Sequence, residues 1–215
     1  MAQRSASSAV NTLDGRLGFE SVEDLDLAAW RERVARMYLS GLDLGEFRSA
    51  RDRLFAEHVQ SPIPPAERPS FAGLRYFPEN PEAVVEAPLE PADGTLEIDT
   101  GGPDGVVRYR RAARALTPWG PLTLFWIEAY GGGLFLPFRD GTYGSMTYGA
   151  GRYLTDTVKG TFGRGVVPLP GERVRLDFNY AYNPSCAYDD RWACPLAPEE
   201  NRLVAPIEAG ELTYH

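Results

Sequence analysis

The chain has 215 residues, 43% of them hydrophobic, which is enough for one domain with a continuous core. Its 30 acidic and 22 basic residues give a formal net charge of -8, which would repel a phosphate backbone and argues against nucleic acid as a partner. The sequence has neither an apolar run long enough to span a bilayer nor the apolar core of a signal peptide at its start. We therefore expect a cytoplasmic protein without a membrane partner.

The first part of the chain divides into two predicted segments. Residues 1–20 have no hydrophobic periodicity and no turn chemistry, and we predict that they are disordered. Residues 21–66 are predicted to form a helical segment. Ser21 with Asp24 three residues later resembles a capping box, and Gly41 provides a stop for the first helix.

A second helix is predicted directly after this stop. Asp43 and Glu46 have the spacing of another capping box. The prolines of SPIPP at residues 61–65 forbid continuation of the helix. His58 is thus expected at a helix C-terminus, where the helix dipole favours the charged imidazole.

Residues 67–215 are predicted to form a β domain. Short apolar runs rich in Val, Leu, Phe and Tyr alternate with turn pairs such as Asp-Gly and Gly-Gly, a pattern typical of antiparallel strands. The predicted fold class is mainly β (α+β), an antiparallel small barrel or sandwich with an N-terminal helical pair. The predicted strands are 83–90, 94–99, 105–116, 121–129, 132–138, 151–157, 172–180 and 203–208.

Both cysteines lie in a long C-terminal loop, residues 179–203, with the sequence NYAYNPSCAYDDRWACPLAPEENRL. Their spacing is neither that of a zinc ribbon nor that of a CxxC redox motif. Cys186 is a candidate reactive thiol, with His58 as a possible activator, and two thiolates could also share a metal with a third ligand. The interpretation we favour has no metal and treats Cys194 as a structural residue that fastens the loop to the core.

The loop also carries polar side chains that are candidates for ligand binding. Asn183, Tyr188 and Asn201 could satisfy the loop backbone or line the mouth of a pocket. A connection of this length without regular structure is uncommon in a compact domain unless it has a function or is ordered by its own packing. Both alternatives stay open at this point.

Charged residues in the central part of the chain suggest a second group of site candidates. Arg152, beside Tyr153 in a segment expected to be buried, needs an anionic partner. Glu128, inside the apolar run LFWIEAY, could be that partner or a general base. Asp140, in the turn FRDGTYG, is expected to belong to a solvated hairpin end.

Four stretches of the chain resemble a known family, the uncharacterised bacterial and archaeal proteins catalogued as domain of unknown function 1684. The resemblance runs from about Trp30 to Glu211. The matching stretches are RDRLFAEHVQSPIPP, in which Val59 stands where the family usually has proline, LRYFPENP, YGGGLFLPFRDGTYGSMTYGAGRYL and LDFNYAYNPSCAYDDRWACPLAPEENRLVAPIEAGE.

The resemblance implies no activity, because the family has none established. It does imply that the central and C-terminal stretches form one site, with the residues matching Arg152, Asn183, Cys186, Cys194 and Asn201. The leading hypothesis is therefore a small-metabolite-binding protein or enzyme whose pocket is roofed by the 179–203 loop. Arg152 and Tyr153 would bind ligand there, together with the loop residues.

Two other functions stay open. The protein could be a structural or interaction module in which the signature residues serve loop architecture. It could also be a flavin-binding protein, since some small split barrels hold flavin mononucleotide, although this alternative rests on fold analogy alone. A homo-oligomer is possible in each case.

Overall fold

The computed structural model describes residues 20–99 and 105–215, so the segment predicted to be disordered lies almost wholly outside the described residues. Two α-helices come first, as predicted, and short strands follow. The elements are α1 (Glu20–Leu39), α2 (Leu44–Glu57), β1 (Val84–Glu90), β2 (Thr95–Asp99), β3 (Val106–Thr117), β4 (Gly120–Ile127), β5 (Gly133–Phe138), β6 (Arg152–Asp156), β7 (Val166–Leu169) and β8 (Arg173–Asp177).

The strands of the described chain form one antiparallel sheet in the order β6-β5-β4-β3-β1-β8-β7. The long strand β3 pairs with β4 along most of its length, with β2 through its first residues, and with the end of β1 near Ala115. The sheet curls into a half-barrel. This architecture confirms the predicted mainly β class with an N-terminal helical pair.

The main core lies on the inner face of the half-barrel. Every strand except β2 contributes residues to it, and inward-pointing positions recur with the two-residue period of a strand. Each large side chain that is fully buried contributes about 1.5–3 kcal/mol to folding. The largest members of this core are Leu122, Leu136, Phe138, Leu154, Leu176 and Phe178.

The helical pair packs against the β domain through aromatic contacts. Phe47 of α2 meets Tyr180 at a ring-centroid distance of 5.0 Å, and Phe55 meets Tyr188 at 5.3 Å. The predicted capping box of α2 is confirmed, because the Glu46 amide donates to Asp43 Oδ1 at 2.8 Å and the Asp43 amide donates to Glu46 Oε2 at 3.0 Å. The two aromatic contacts place the inner face of α2 against the C-terminal loop.

Three details of the sequence prediction were wrong. Ser21 lies inside α1, so it is not the N-cap. Strand β7, with the sequence VVPL, was missed because it has only 4 residues and contains a proline. Residues 203–208 do not form a strand. Instead of pairing along a strand, the Leu203 amide donates to the Arg139 carbonyl, the Ala205 carbonyl accepts the Gly141 amide, and the Ile207 carbonyl accepts a hydrogen bond from the Arg152 guanidinium.

Neither α-helix of the described residues is both long and apolar enough to cross a membrane. The longer one, α1, has 20 residues but carries acidic and basic side chains along its length.

Candidate functional site

A cleft opens between the helical pair and the C-terminal loop, and we call it the aromatic cleft. Its empty volume is ≈ 530 Å³ when counted out to solvent, of which ≈ 60 Å³ admits the centre of a water molecule. A single water molecule needs about 10–15 Å³ of the smaller of these two volumes. The cleft therefore has room for a compact molecule. The cleft is lined by Trp30, Val34, Met37, Tyr38, Arg51, Phe55, Pro62, Tyr153, Lys159, Thr161, Tyr182, Asn183, Pro184, Ser185 and Tyr188.

Arg51 is a charged residue on the buried face of α2. Phe47, Leu54 and Phe55 are buried on the same face, and residues three and four apart in a helix share one face. The Arg51 guanidinium also lies over the Phe55 ring at 4.7 Å. A cation at this position needs an anion, because a buried charge without a partner is strongly destabilising.

Glu211 provides that anion from the far end of the chain. Arg51 Nη1 donates to Glu211 Oε2 at 2.6 Å, and Arg51 Nη2 donates to the Tyr188 hydroxyl at 3.2 Å. The Tyr188 hydroxyl in turn donates a short hydrogen bond to Glu211 Oε1. Burial disfavours the charge of Arg51, but Glu211 and the neighbouring tyrosines outweigh this effect and raise its pKa well above the ordinary value.

The main chain around Gly210 positions Glu211. Gly210 has φ +76, and a Cβ there would lie 2.6 Å from the Ala181 carbonyl oxygen and 2.7 Å from that of Phe178. Only glycine allows this close approach at low cost. The Glu211 amide then donates to the Ala181 carbonyl, which holds the carboxylate beneath the cleft.

Asn183 lies at the wall of the cleft and is held by its neighbours on two sides. Its amide N–H donates to Glu211 Oε2 at 3.1 Å, and its Nδ2 donates to the Leu212 carbonyl at 2.7 Å. Its Oδ1 is buried and has no hydrogen-bond partner among the described residues. An amide oxygen left unpaired in this way is an unfilled acceptor beside the cleft.

A second cluster of polar side chains lies around the lining residues Lys159 and Thr161, and it includes Asp156. The Tyr182 hydroxyl and Thr161 Oγ1 are 3.2 Å apart, and Thr161 Oγ1 donates to the Asp156 carbonyl at 3.0 Å. Burial raises the pKa of the Asp156 carboxyl, and Lys159 Nζ, 3.8 Å from its Oδ2, partly offsets that rise. Asp156 Oδ1 also lacks a partner within the described chain.

Three of the predicted ligand residues, Tyr153, Asn183 and Tyr188, line the aromatic cleft. Tyr153 packs edge-on against Phe135 at 4.8 Å and donates its hydroxyl to the Pro195 carbonyl at 2.6 Å. The loop itself forms one wall of the cleft through its residues 182–185 and Tyr188.

Arg152 is not a lining residue of the cleft, although it belongs to the same strand as Tyr153. Its side chain is 1% exposed, and its Nη2 donates to Asp140 Oδ2 at 2.6 Å. Its other hydrogen bonds are to the main-chain carbonyls of Ile207, Ala209 and Glu211. The anionic partner is therefore Asp140 and not Glu128, and Asp140 is buried rather than part of a solvated turn.

Asn201 also lies outside the cleft, at a junction between two strands. Its Oδ1 accepts the Thr123 amide of β4 at 2.7 Å, and its Nδ2 donates to the carbonyls of Thr123 and Pro137 at 2.8 and 2.7 Å. The side chain is fully buried. Its hydrogen-bonding groups are thus directed to the main chain of β4 and β5.

Glu128 follows the end of β4 and lies at the surface. Its side chain is 32% exposed, and its ion pairs within the described residues are long, with Arg108 at 3.8 Å and Arg110 at 4.0 Å. The sequence-based expectation of an apolar environment was wrong, because the strand ends at Ile127 and residues 128–131 form an exposed turn.

His58 caps α2, as predicted, but its environment does not favour the charged form. Its Nδ1 accepts the Gln60 amide at 3.1 Å, and its ring packs against Trp30 at 5.3 Å. Burial and then the nearby Arg33 lower the pKa of His58, so the helix dipole is outweighed. The described contacts of its ring are with Trp30 and Gln60, whereas Cys186 lines a separate groove beside the loop, with Tyr148 and His215.

Sequence reasoning missed most of the residues that build the cleft, among them Trp30, Arg51, Tyr182 and Glu211. Arg51 had a recognisable signal, since a lone arginine on the apolar stripe of an amphipathic helix needs a buried partner. Glu211 had no local signal, because its partner is 160 positions away in the chain.

Together these features define a class, a mostly antiparallel β half-barrel with an N-terminal helical pair and an aromatic cleft between the two. A family model described as "Protein of unknown function (DUF1684)" matches residues 69–212, which is more than half of the chain. The chain belongs to this family, as its signature stretches suggested.

A solved structure is similar along nearly the whole chain. It is the solution NMR structure of an uncharacterised protein from gene locus rrnAC0354 of Haloarcula marismortui, with 34% sequence identity and a TM-score of 0.54. The match covers 91% of this chain and 99% of the archaeal one. The search among curated proteins gave no significant match.

Proposed function

We propose that the protein binds a small molecule in the aromatic cleft. The observation that carries this proposal is Asn183 Oδ1, a buried acceptor without a partner at the cleft wall, although the other polar groups of Asn183 are paired. An unsatisfied buried acceptor costs about 1–3 kcal/mol. A ligand that donates an N–H or O–H to this oxygen would remove the cost.

The lining determines the kind of ligand that fits. Aromatic rings from both walls, among them Trp30, Tyr38, Tyr153 and Tyr182, favour a flat and largely apolar body. The charge of Arg51 is already balanced by Glu211, so the inner end offers no unpaired charge. We therefore propose a compact, neutral molecule about one ring in size that carries at least one hydrogen-bond donor.

The Arg51–Glu211 network gives the cleft a fixed shape. The carboxylate of Glu211 is held by Arg51, by the Tyr188 hydroxyl and by the main-chain amide of Asn183. Residues locked by such contacts lose little freedom when a ligand arrives, which favours binding. A role limited to loop architecture would need the same network but would leave Asn183 Oδ1 unpaired.

A thermal-shift screen with matched ligand pairs tests this proposal. One member of each pair is a single-ring lactam, amide or phenol, and the other is its N- or O-methylated analogue, which lacks the donor. A ligand at 100 times its Kd adds about 2.7 kcal/mol, or about 5–10 °C for a domain of this size. We expect shifts of this kind only with the donor-bearing members, and smaller ones in Asn183→Leu.

Two results would contradict the proposal: equal shifts from both members of every pair, or no shift from any compound. The flavin alternative is checked on the same sample, because bound flavin gives the purified protein an absorbance band in the visible range.

A further inference from the structure

The structure brings Cys186 and Cys194 together across the most irregular part of the loop. Both are free thiols. The Cys186 amide donates to Cys194 Sγ at 3.3 Å. This contact places the sulfur of Cys194 against the main chain of Cys186, so the two cysteines are adjacent in space. We infer that Cys186 and Cys194 are a modification site that closes to a reversible disulfide when it meets a low-molecular-weight disulfide.

The two thiols differ in access. Cys186 is partly exposed and lines a surface groove of ≈ 640 Å³ together with Pro64, Tyr148 and His215. Cys194 is buried behind it, 8% exposed. A small reagent in the groove therefore reaches Cys186 first, and Cys194 is placed to resolve the adduct that forms.

The electrostatics of the pair favour the first step, in which both thiols are still present. The hydrogen bond from the Cys186 thiol lowers the pKa of Cys194 to about 6, while the same bond and burial raise the pKa of Cys186. Thiolate is the form that attacks a disulfide sulfur. Loss of one proton from the pair is therefore eased, and proton exchange between the two sulfurs supplies the thiolate at Cys186.

The reaction balances as two thiol–disulfide exchanges. Cys186, as thiolate, attacks one sulfur of the small disulfide, whose S–S bond breaks and releases one small thiol. The released small thiolate takes the proton of Cys194, and the Cys194 thiolate then attacks Cys186 Sγ, which forms the protein disulfide and releases the second small thiol. The protein loses two electrons and two protons, and the small disulfide gains both.

The position of the pair connects it to the aromatic cleft. Ser185, the neighbour of Cys186, lines the cleft, and Pro195, the neighbour of Cys194, accepts the hydroxyl of the lining residue Tyr153. A covalent bond between the cysteines would therefore restrain this wall. We expect slower amide hydrogen exchange in residues 184–195 of the oxidised protein.

The test treats the native protein with 2-hydroxyethyl disulfide, a small neutral reagent, and follows thiol content and intact mass. We expect both thiols to disappear together, with a monomer lighter by two hydrogens, and a reducing agent to restore them. Cys194→Ser should accumulate a stable mixed adduct at Cys186. Cys186→Ser should react more than tenfold more slowly at the buried Cys194.

The inference is overturned if the native wild type gives only mixed adducts, if it forms disulfide-linked dimers, or if both thiols stay free while the denatured chain reacts. The wild-type result does not depend on the folding of either variant, and it does not depend on any ligand of the cleft.

Discussion

Arg51 and Glu211 lie 160 positions apart in the chain, yet Arg51 Nη1 and Glu211 Oε2 are separated by 2.6 Å in the buried floor of the aromatic cleft. The pair joins α2 to the C-terminal segment. It links the helical segment to the β domain at the point where the cleft is formed.

A double-mutant cycle on this pair should show strong coupling. Arg51→Met or Glu211→Leu alone leaves the partner charge buried without a counter-ion, which costs about 3–5 kcal/mol in the free energy of unfolding. The double variant should lose much less than the sum, since both charges are gone. Urea denaturation measures each corner of the cycle. Losses that simply add would show that the two residues do not act as a pair.

Arg152→Lys should destabilise the protein without changing the aromatic cleft. Lysine cannot reach Asp140 and three main-chain carbonyls at once, so buried acceptors lose their donors. We expect a loss of about 2–4 kcal/mol in the free energy of unfolding. Arg139→Lys, at a partly buried neighbouring position, is the matched control. Equal stability of the two variants would indicate that Arg152 has a role other than holding the C-terminal segment.

His58 should make the protein less stable in mild acid. Its pKa is lowered in the folded state, so the unfolded chain binds the proton more readily, and stability falls as pH drops below the unfolded pKa of 6.5. Protonation also removes the acceptor that Nδ1 offers to the Gln60 amide. His58→Asn keeps an acceptor at that place and should show a flatter melting-temperature profile between about pH 5 and 7. His215→Asn, the control, should follow the wild type. Parallel profiles of wild type and His58→Asn would contradict this account.

The Asp156 carboxyl should make the folded protein less stable as pH rises, which is opposite to the effect of His58. The variant Asp156→Asn removes this effect. The raised pKa of this carboxyl means that its ionised form penalises the folded state, and the penalty grows as pH rises from the unfolded value of 3.8 through the folded one. Asparagine keeps the size and shape of this side chain but removes its charge. The melting temperature of the variant minus that of the wild type should therefore increase with pH. A constant difference would show that the carboxylate is stabilised as well in the protein as in water.

Local patterns predicted the fold well. The spacing of apolar residues, the Asp43–Glu46 capping box and the strand-turn texture identified both helices and most strands. Strand β7 was not predicted, because a strand of 4 residues is too short to show a clear alternation of apolar and polar residues. Residues 203–208 looked like a strand, but their main chain is used by Arg152 and Arg139 instead.

The site was less predictable because its partners are distant in the chain. The sequence pointed to the loop of residues 179–203 and to Tyr153, Asn183 and Tyr188, whose side chains line the cleft. It assigned Glu128 to a buried strand, since nothing local shows that β4 ends one residue earlier. It also left Arg152 without its real partner, Asp140, because a turn sequence does not reveal that the turn folds back into the core.

The most direct test of ligand binding in the aromatic cleft fills the cleft with a side chain. Val34 lines the cleft from α1, whereas Leu25 on the same helix is 69% exposed, so Val34→Trp and Leu25→Trp place the same ring inside and outside the site. Overpacking is expected to cost Val34→Trp about 1–3 kcal/mol, and each ligand-induced shift is therefore measured from the variant's own melting temperature. The account predicts that donor-bearing compounds shift the wild type and Leu25→Trp equally and no longer shift Val34→Trp. A shift in Val34→Trp as large as that of the wild type would place binding elsewhere and contradict the account.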